Sequence, residues 1–158
     1  MAKFMMVETI HSEKVVTARL GQSGAGNTFT DADVGKAVKL TAESRYELCA
    51  LGDAAEGVVS SVNVGTVDGY SIGGVVSSGY KEVTFDGSQA AGTGAITVGT
   101  YVVVGTVVAR NTALTGPLKV RSATDQAAAK AAPFKARVVS LGSAGTGAVG
   151  TVGLVELL

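Results

Sequence analysis

Apolar and polar residues alternate in short runs along most of the chain, and glycine cuts the runs apart. A period of two places alternate side chains on opposite faces of a strand. Ala37-Val38-Lys39-Leu40 has that period, and further strands are predicted over 46–51, 56–63, 66–77, 80–85, 95–98, 100–109, 118–121, 134–141 and 151–157. Asp68-Gly69 and Asp86-Gly87 mark tight turns, because glycine tolerates positive φ. Helical signals are few. Thr30-Asp31-Ala32-Asp33-Val34-Gly35 predicts one capped turn stopped by glycine. Thr124 to Ala132 predicts a short helix capped by Thr124 or Asp125 and closed before Pro133.

The fold class that follows is all-β: a compact antiparallel barrel or sandwich with one or two short helices. Ahead of it, apolar runs at 3–10 and 14–20 flank a polar break at His11-Ser12-Glu13. Gly21-Gln22-Ser23-Gly24-Ala25-Gly26-Asn27 then reads as a linker by composition. Residues 1–35 are therefore expected to form an N-terminal arm and linker, with the β domain over 36–158. Within the arm, Phe4, Met5, Met6 and Val7 form the densest apolar cluster and are the candidate partner-binding residues.

Composition narrows the function. Val (25), Ala (23) and Gly (22) dominate, Trp is absent, and 13 basic residues balance 13 acidic ones. A nucleic-acid binder would carry a basic excess, so no nucleic-acid partner is expected. Residues 87–109 lack charge but hold five glycines and four threonines, which favours buried strands over a membrane span. The apolar run after Lys3 stops at Glu8, too short for a secretory signal. The single Cys49 permits no intramolecular disulfide, fits folding in a reducing cytoplasm, and is expected to be buried.

Candidate chemistry is sparse. Gly145-Thr146-Gly147-Ala148-Val149-Gly150 matches the dinucleotide fingerprint by letter. A strand pattern follows it where a helix N-terminus should hold the pyrophosphate, so a hairpin loop is expected. His11, the only histidine, sits among polar turn residues. The Asp31/Asp33 and Glu43/Glu47 pairs read as turn caps and solvated faces. Gly65-Thr66-Val67-Asp68-Gly69-Tyr70 lacks the Asp–Tyr spacing of trimeric deoxyuridine triphosphatases, and their other motifs are missing. Val-Gly-Thr-Val recurs at 64, 104 and 149, but nothing else aligns between the copies. No catalytic residue, cofactor or metal site is expected.

From Gly35 onward the chain resembles the small all-β decoration, or cement, proteins of tailed-bacteriophage capsids. The resemblance rests on Ala37-Val38-Lys39-Leu40, on Leu51-Gly52-Asp53 with Glu56-Gly57-Val58-Val59, and on Ile96-Thr97-Val98-Gly99-Thr100-Tyr101-Val102. The closing pair Ala136-Arg137-Val138-Val139 and Gly150-Thr151-Val152-Gly153-Leu154-Val155 completes it. It implies a virion protein on the capsid exterior that binds the major capsid protein and forms homo-oligomers, trimers above all. The competing expectation is a fibre, spike or adhesin module binding a receptor or glycan, with Tyr70 and Tyr80 as its candidate aromatics.

Overall fold

The computed structural model describes residues 13–21, 28–41, 45–63, 71–87 and 96–158. Strands take 47% of these and helical turns 7%, so the fold is all-β. The strands are β1 (Lys14–Leu20), β2 (Ala37–Leu40), β3 (Arg45–Leu48), β4 (Gly57–Asn63), β5 (Ser71–Phe85), β6 (Tyr101–Val104), β7 (Leu118–Ser122), β8 (Ala136–Ser140) and β9 (Val152–Leu157). One 3-10 turn spans Asp31–Asp33 and one helix, α1, spans Gln126–Ala131.

Pairing follows the order β1-β3-β2-β4-β5-β7-β6-β8-β9, and β5 also pairs with both end strands, β1 and β9. Two rings of five strands therefore share β5. Its first half, Ser71 to Ser78, carries β1 on one edge and β4 on the other. Its second half, Gly79 to Phe85, carries β9 and β7. Closure occupies strand edges that would otherwise expose unpaired N–H and C=O groups. Neither ring is a regular barrel. The β1–β3 and β6–β8 ladders hold two residue pairs each, and β4–β5 and β8–β9 contain bulges. Most ladders are antiparallel; β1–β3 and β5–β7 are parallel.

The two rings have separate cores divided by β4 and β5. Val59 and Val75 pack with Leu20, Phe29 and Val38 in the first core. Their neighbours Val58 and Val76 pack with Val83, Phe85, Val138 and Val155 in the second. Adjacent valines on one strand point to opposite faces, so Val-Val doublets mark strands buried on both sides.

Three expectations need correcting. First, residues 14–21 and 28–35 of the expected arm belong to the body. β1 is laddered to β5 along its whole length, and Leu20, Phe29 and Asp33 are fully buried. The physical reason is ring closure: without β1, one edge of β5 and one of β3 would lie open. Residues 1–12, with Phe4, Met5, Met6, Val7 and His11, lie outside the described residues. Second, the strands expected around Ser77 and Tyr80 are one strand of 15 residues. Gly79, at φ +128°, turns the chain from one ring to the other without ending the strand. Third, the strand expected over 100–109 stops at Val104, and Thr97 to Thr100 is a turn closed by Thr100 N–H donating to Thr97 O at 3.1 Å.

Candidate interaction surface

The polar side chains of the body are engaged mainly in holding it together. The Asp33 carboxylate, fully buried, accepts from Thr30 N at 3.0 Å, Lys36 Nζ at 2.7 Å and Asn111 N at 2.8 Å. Lys36, itself buried, also donates to Ala109 O at 2.7 Å. This cluster clasps the loop between β6 and β7, part of the second ring, onto the 3-10 turn of the first. Thr30 is the N-cap, and Asp33 returns the bond to its N–H in a capping box. The capped turn was legible from sequence; its long-range partners at 109–111 were not.

A second tie joins β2 to the turn after β3. Lys39 Nζ lies 2.6 Å from Asp53 Oδ2, which also accepts from Ala50 N at 2.7 Å. Burial pushes the Asp53 carboxyl up, but these donors outweigh it and hold the group below the ordinary carboxylate range. Cys49 is buried beside this tie, just past β3. Burial first, and Asp53 second, push its thiol up to about 12, which keeps it protonated and a poor nucleophile.

On the outer wall of the second ring, four directly opposed residues form a row across β5, β9, β8 and β6: Tyr80, Glu156, Arg137 and Tyr101. Arg137 Nη2 lies 2.7 Å from Glu156 Oε2. Tyr101 is fixed through its backbone, where Gln126 of α1 both donates and accepts at 2.8 Å. Of the two tyrosines expected to form an aromatic cluster, Tyr80 lies in this row and Tyr70 falls outside the described residues. A cleft of about 270 Å³ opens beside Tyr101, lined by Gly52, Arg121, Ala129, Phe134 and Lys135 among others. It lies just under the roughly 300–1,000 Å³ of small-molecule sites.

Among the described residues no group of three or more His, Cys, Asp or Glu is placed to hold a metal ion, and no helix is long and apolar enough to cross a membrane. The glycine fingerprint at 145–150 falls in the loop joining antiparallel β8 and β9.

Two surface features remain. One is the root of the N-terminal segment. Glu13 sits against Gly79, where a Cβ would lie 3.1 Å from its Cγ, and its carboxylate meets Lys81 Nζ at 2.5 Å. Glu13, the first described residue, thus lies at the seam between the rings. The other is the far end of the second ring. Gly99 N donates to Val138 O at 2.7 Å, and Gly150 N donates to Phe85 O at 2.7 Å. These bonds tie the 97–100 turn and the 142–151 loop onto the ring, and Ile96 abuts Gly147 between them. Neither 87–109 nor 138–155 contains a charged residue. Here Val149 is 71% exposed and Val98 62%. The missing charge over 87–109 was read as buried strands, and 142–150 was expected to be a hairpin loop.

No family model, curated protein or solved structure matches the chain.

Proposed function

We propose that this chain is a structural virion protein that binds the outer surface of an assembled phage capsid. It reinforces the shell by bridging neighbouring copies of the major capsid protein. The observation that carries this reading is the arm root: Glu13, pinned by Lys81 and backed by Gly79, tethers Phe4, Met5, Met6 and Val7 to a closed two-ring body. At roughly 3.3–3.6 Å per residue, full extension would set the greatest distance from Glu13 at about 20 Å for Val7 and about 30 Å for Phe4. An extended segment adds to a partner's sheet edge through backbone hydrogen bonds, with apolar side chains as anchors. Many modest contacts, repeated over a symmetric lattice, then sum to firm attachment.

The test removes residues 1–8, leaving Glu13 and β1 intact. Burial of four such side chains is worth roughly 1.5–3 kcal/mol each, less about 0.5–1.5 kcal/mol each for ordering. The middle of that balance is about 5 kcal/mol, so the truncated protein should melt as the full chain does and sediment with purified phage heads on the order of a thousandfold more weakly. Met5→Asp with Met6→Asp should behave alike. Undiminished occupancy after truncation would refute the arm, and a full chain that never sediments with heads would refute the capsid reading.

A further inference from the structure

We infer that the cleft between α1 and the outer face of β6 is a binding site for a small amphipathic monocarboxylate: one carboxylate on a flat apolar body the size of an aromatic side chain. This site stands apart from the capsid reading and needs neither the N-terminal segment nor a second copy.

The cleft is built by a helix that stands off the sheet. Val102 and Val104 of β6 are buried in the core, so Tyr101 and Val103 face outward. Beside them α1 is held by polar ties: the two Gln126 bonds to the Tyr101 backbone, and Lys135 Nζ, which donates to Lys130 O at 2.8 Å. A helix of six residues is not stable alone, and none of its residues is buried, so these ties fix its position. It lines the cleft with Ala129 and its C-cap Ala132, and alanine leaves width that a longer side chain would fill. Across the cleft the turn after β3 presents Gly52, at φ +88°, where a Cβ would lie 2.7 Å from Arg121 Nη2. Glycine there makes room for the guanidinium at the cleft wall. Gly52 N donates to Val104 O at 2.9 Å, and Val104 N donates to Asp53 O at 2.9 Å, which fastens this wall to β6.

Charge, lining and size select the ligand. Two cations line the cleft, Arg121 and Lys135, against one acid, Asp125, whose Oδ1 already accepts from Ala128 N at 2.9 Å. The lining thus carries one net positive charge. Its surroundings have the same sign: residues 101–158 hold six basic residues against two acidic ones, and the second acid, Glu156, is paired with Arg137. A guanidinium has five donors and an ammonium three, so each can take a carboxylate oxygen beside the contacts it already makes. The rest of the lining is largely apolar, with Tyr101 and Phe134 as its rings, and Phe134 is 42% exposed. Such rings favour a flat partner in offset or edge contact. At about 30 Å³ per water, a cleft of about 270 Å³ has room for on the order of ten non-hydrogen atoms. One monoanion neutralises the lining. A phosphate dianion would bring a second charge with no partner, and a neutral ligand would leave the cations uncompensated.

The probe is phenylacetate, titrated into the full-length protein while backbone amide shifts are followed by NMR. It should bind saturably, with shifts centred on Gly52, Tyr101, Ala129 and Lys135. Phenylacetamide keeps the ring without the charge, and acetate keeps the charge without the ring. Each should bind about tenfold to a hundredfold more weakly, and Arg121→Gln should weaken phenylacetate by a similar factor. Ala129→Leu fills the cleft without touching a charge; it should abolish binding while melting with the wild type, which keeps the test decisive if Arg121→Gln disturbs β7. The tripeptide glycyl-glycyl-phenylalanine separates two sources of the same chemistry. Binding tighter than that of phenylacetate assigns the site to a peptide terminus, weaker binding assigns it to a free acid, and either supports the inference. Shifts that fail to saturate or scatter over the surface, equal affinity for phenylacetamide, tighter binding of phenyl phosphate, or full affinity in both variants would each overturn it.

Discussion

The Asp33 clasp offers the sharpest test of how the two rings are held together. Asp33→Ala removes a fully buried carboxylate that accepts three hydrogen bonds. It leaves Lys36, 4% exposed, with its ammonium directed only at Ala109 O among the described partners. Breaking one side of a buried ion pair costs roughly 3–5 kcal/mol, because the remaining charge is desolvated without compensation. Against a total stability of about 5–15 kcal/mol that is a large fraction. For a chain of this size it corresponds to a melting temperature lower by roughly 6–20 °C. Lys36→Met should cost a comparable amount by stranding the carboxylate. The double variant Asp33→Ala with Lys36→Met strands neither charge and should be far more stable than the sum of the singles predicts. Urea denaturation of all four proteins closes the cycle, and amide exchange at Asn111, whose N–H bonds the carboxylate, reports the loop locally. An Asp33→Ala cost below about 1 kcal/mol, or strict additivity in the double variant, would refute the clasp as a buried, coupled pair.

Two further outcomes follow from single sites. Native Cys49 should resist a bulky thiol reagent and react with one equivalent only after unfolding, as measured by absorbance. Its thiol also lends the fold a pH dependence. The folded value is about 12 against an ordinary 9.0, so this contribution is complete below pH 9 and is lost progressively as pH rises from there toward 12, where Cys49→Ala should show a shallower decline. Gly79→Ala should destabilise by roughly 1–3 kcal/mol, from the strain of φ +128° and a new Cβ 3.1–3.3 Å from Glu13. An unchanged midpoint in urea would show that the strand does not need glycine at the seam.

Local signals in this chain speak for local structure. The alternation in Ala37-Val38-Lys39-Leu40, the cap at Thr30 and the helix signal over Thr124 to Ala132 depend on residues within one turn or strand. Each could be placed from sequence because steric preference and capping act over three or four residues. Cys49 was expected to be buried because its flanks Leu48 and Leu51 are apolar; it is buried, but Leu51 is exposed and the burial comes from packing with Ala37 and Val104. The arm boundary was not legible: Gly21 to Asn27 looks like a divider, yet the strand before it closes a ring.

The all-β class was settled by composition and period alone: valine, threonine and glycine in short alternating runs disfavour helix and favour pleated strands wherever they pack. The two-ring architecture was decided elsewhere. It depends on which edges meet, and backbone edges carry no side-chain label; β5 pairs with β1 and β4, then β9 and β7, because its length and the bend at Gly79 expose its two halves to different neighbours. The same holds for the clasp, whose partners lie more than seventy residues apart. It holds also for Val149, whose exposure follows from the loop seated on Phe85 and Gly87, a contact that no local period encodes.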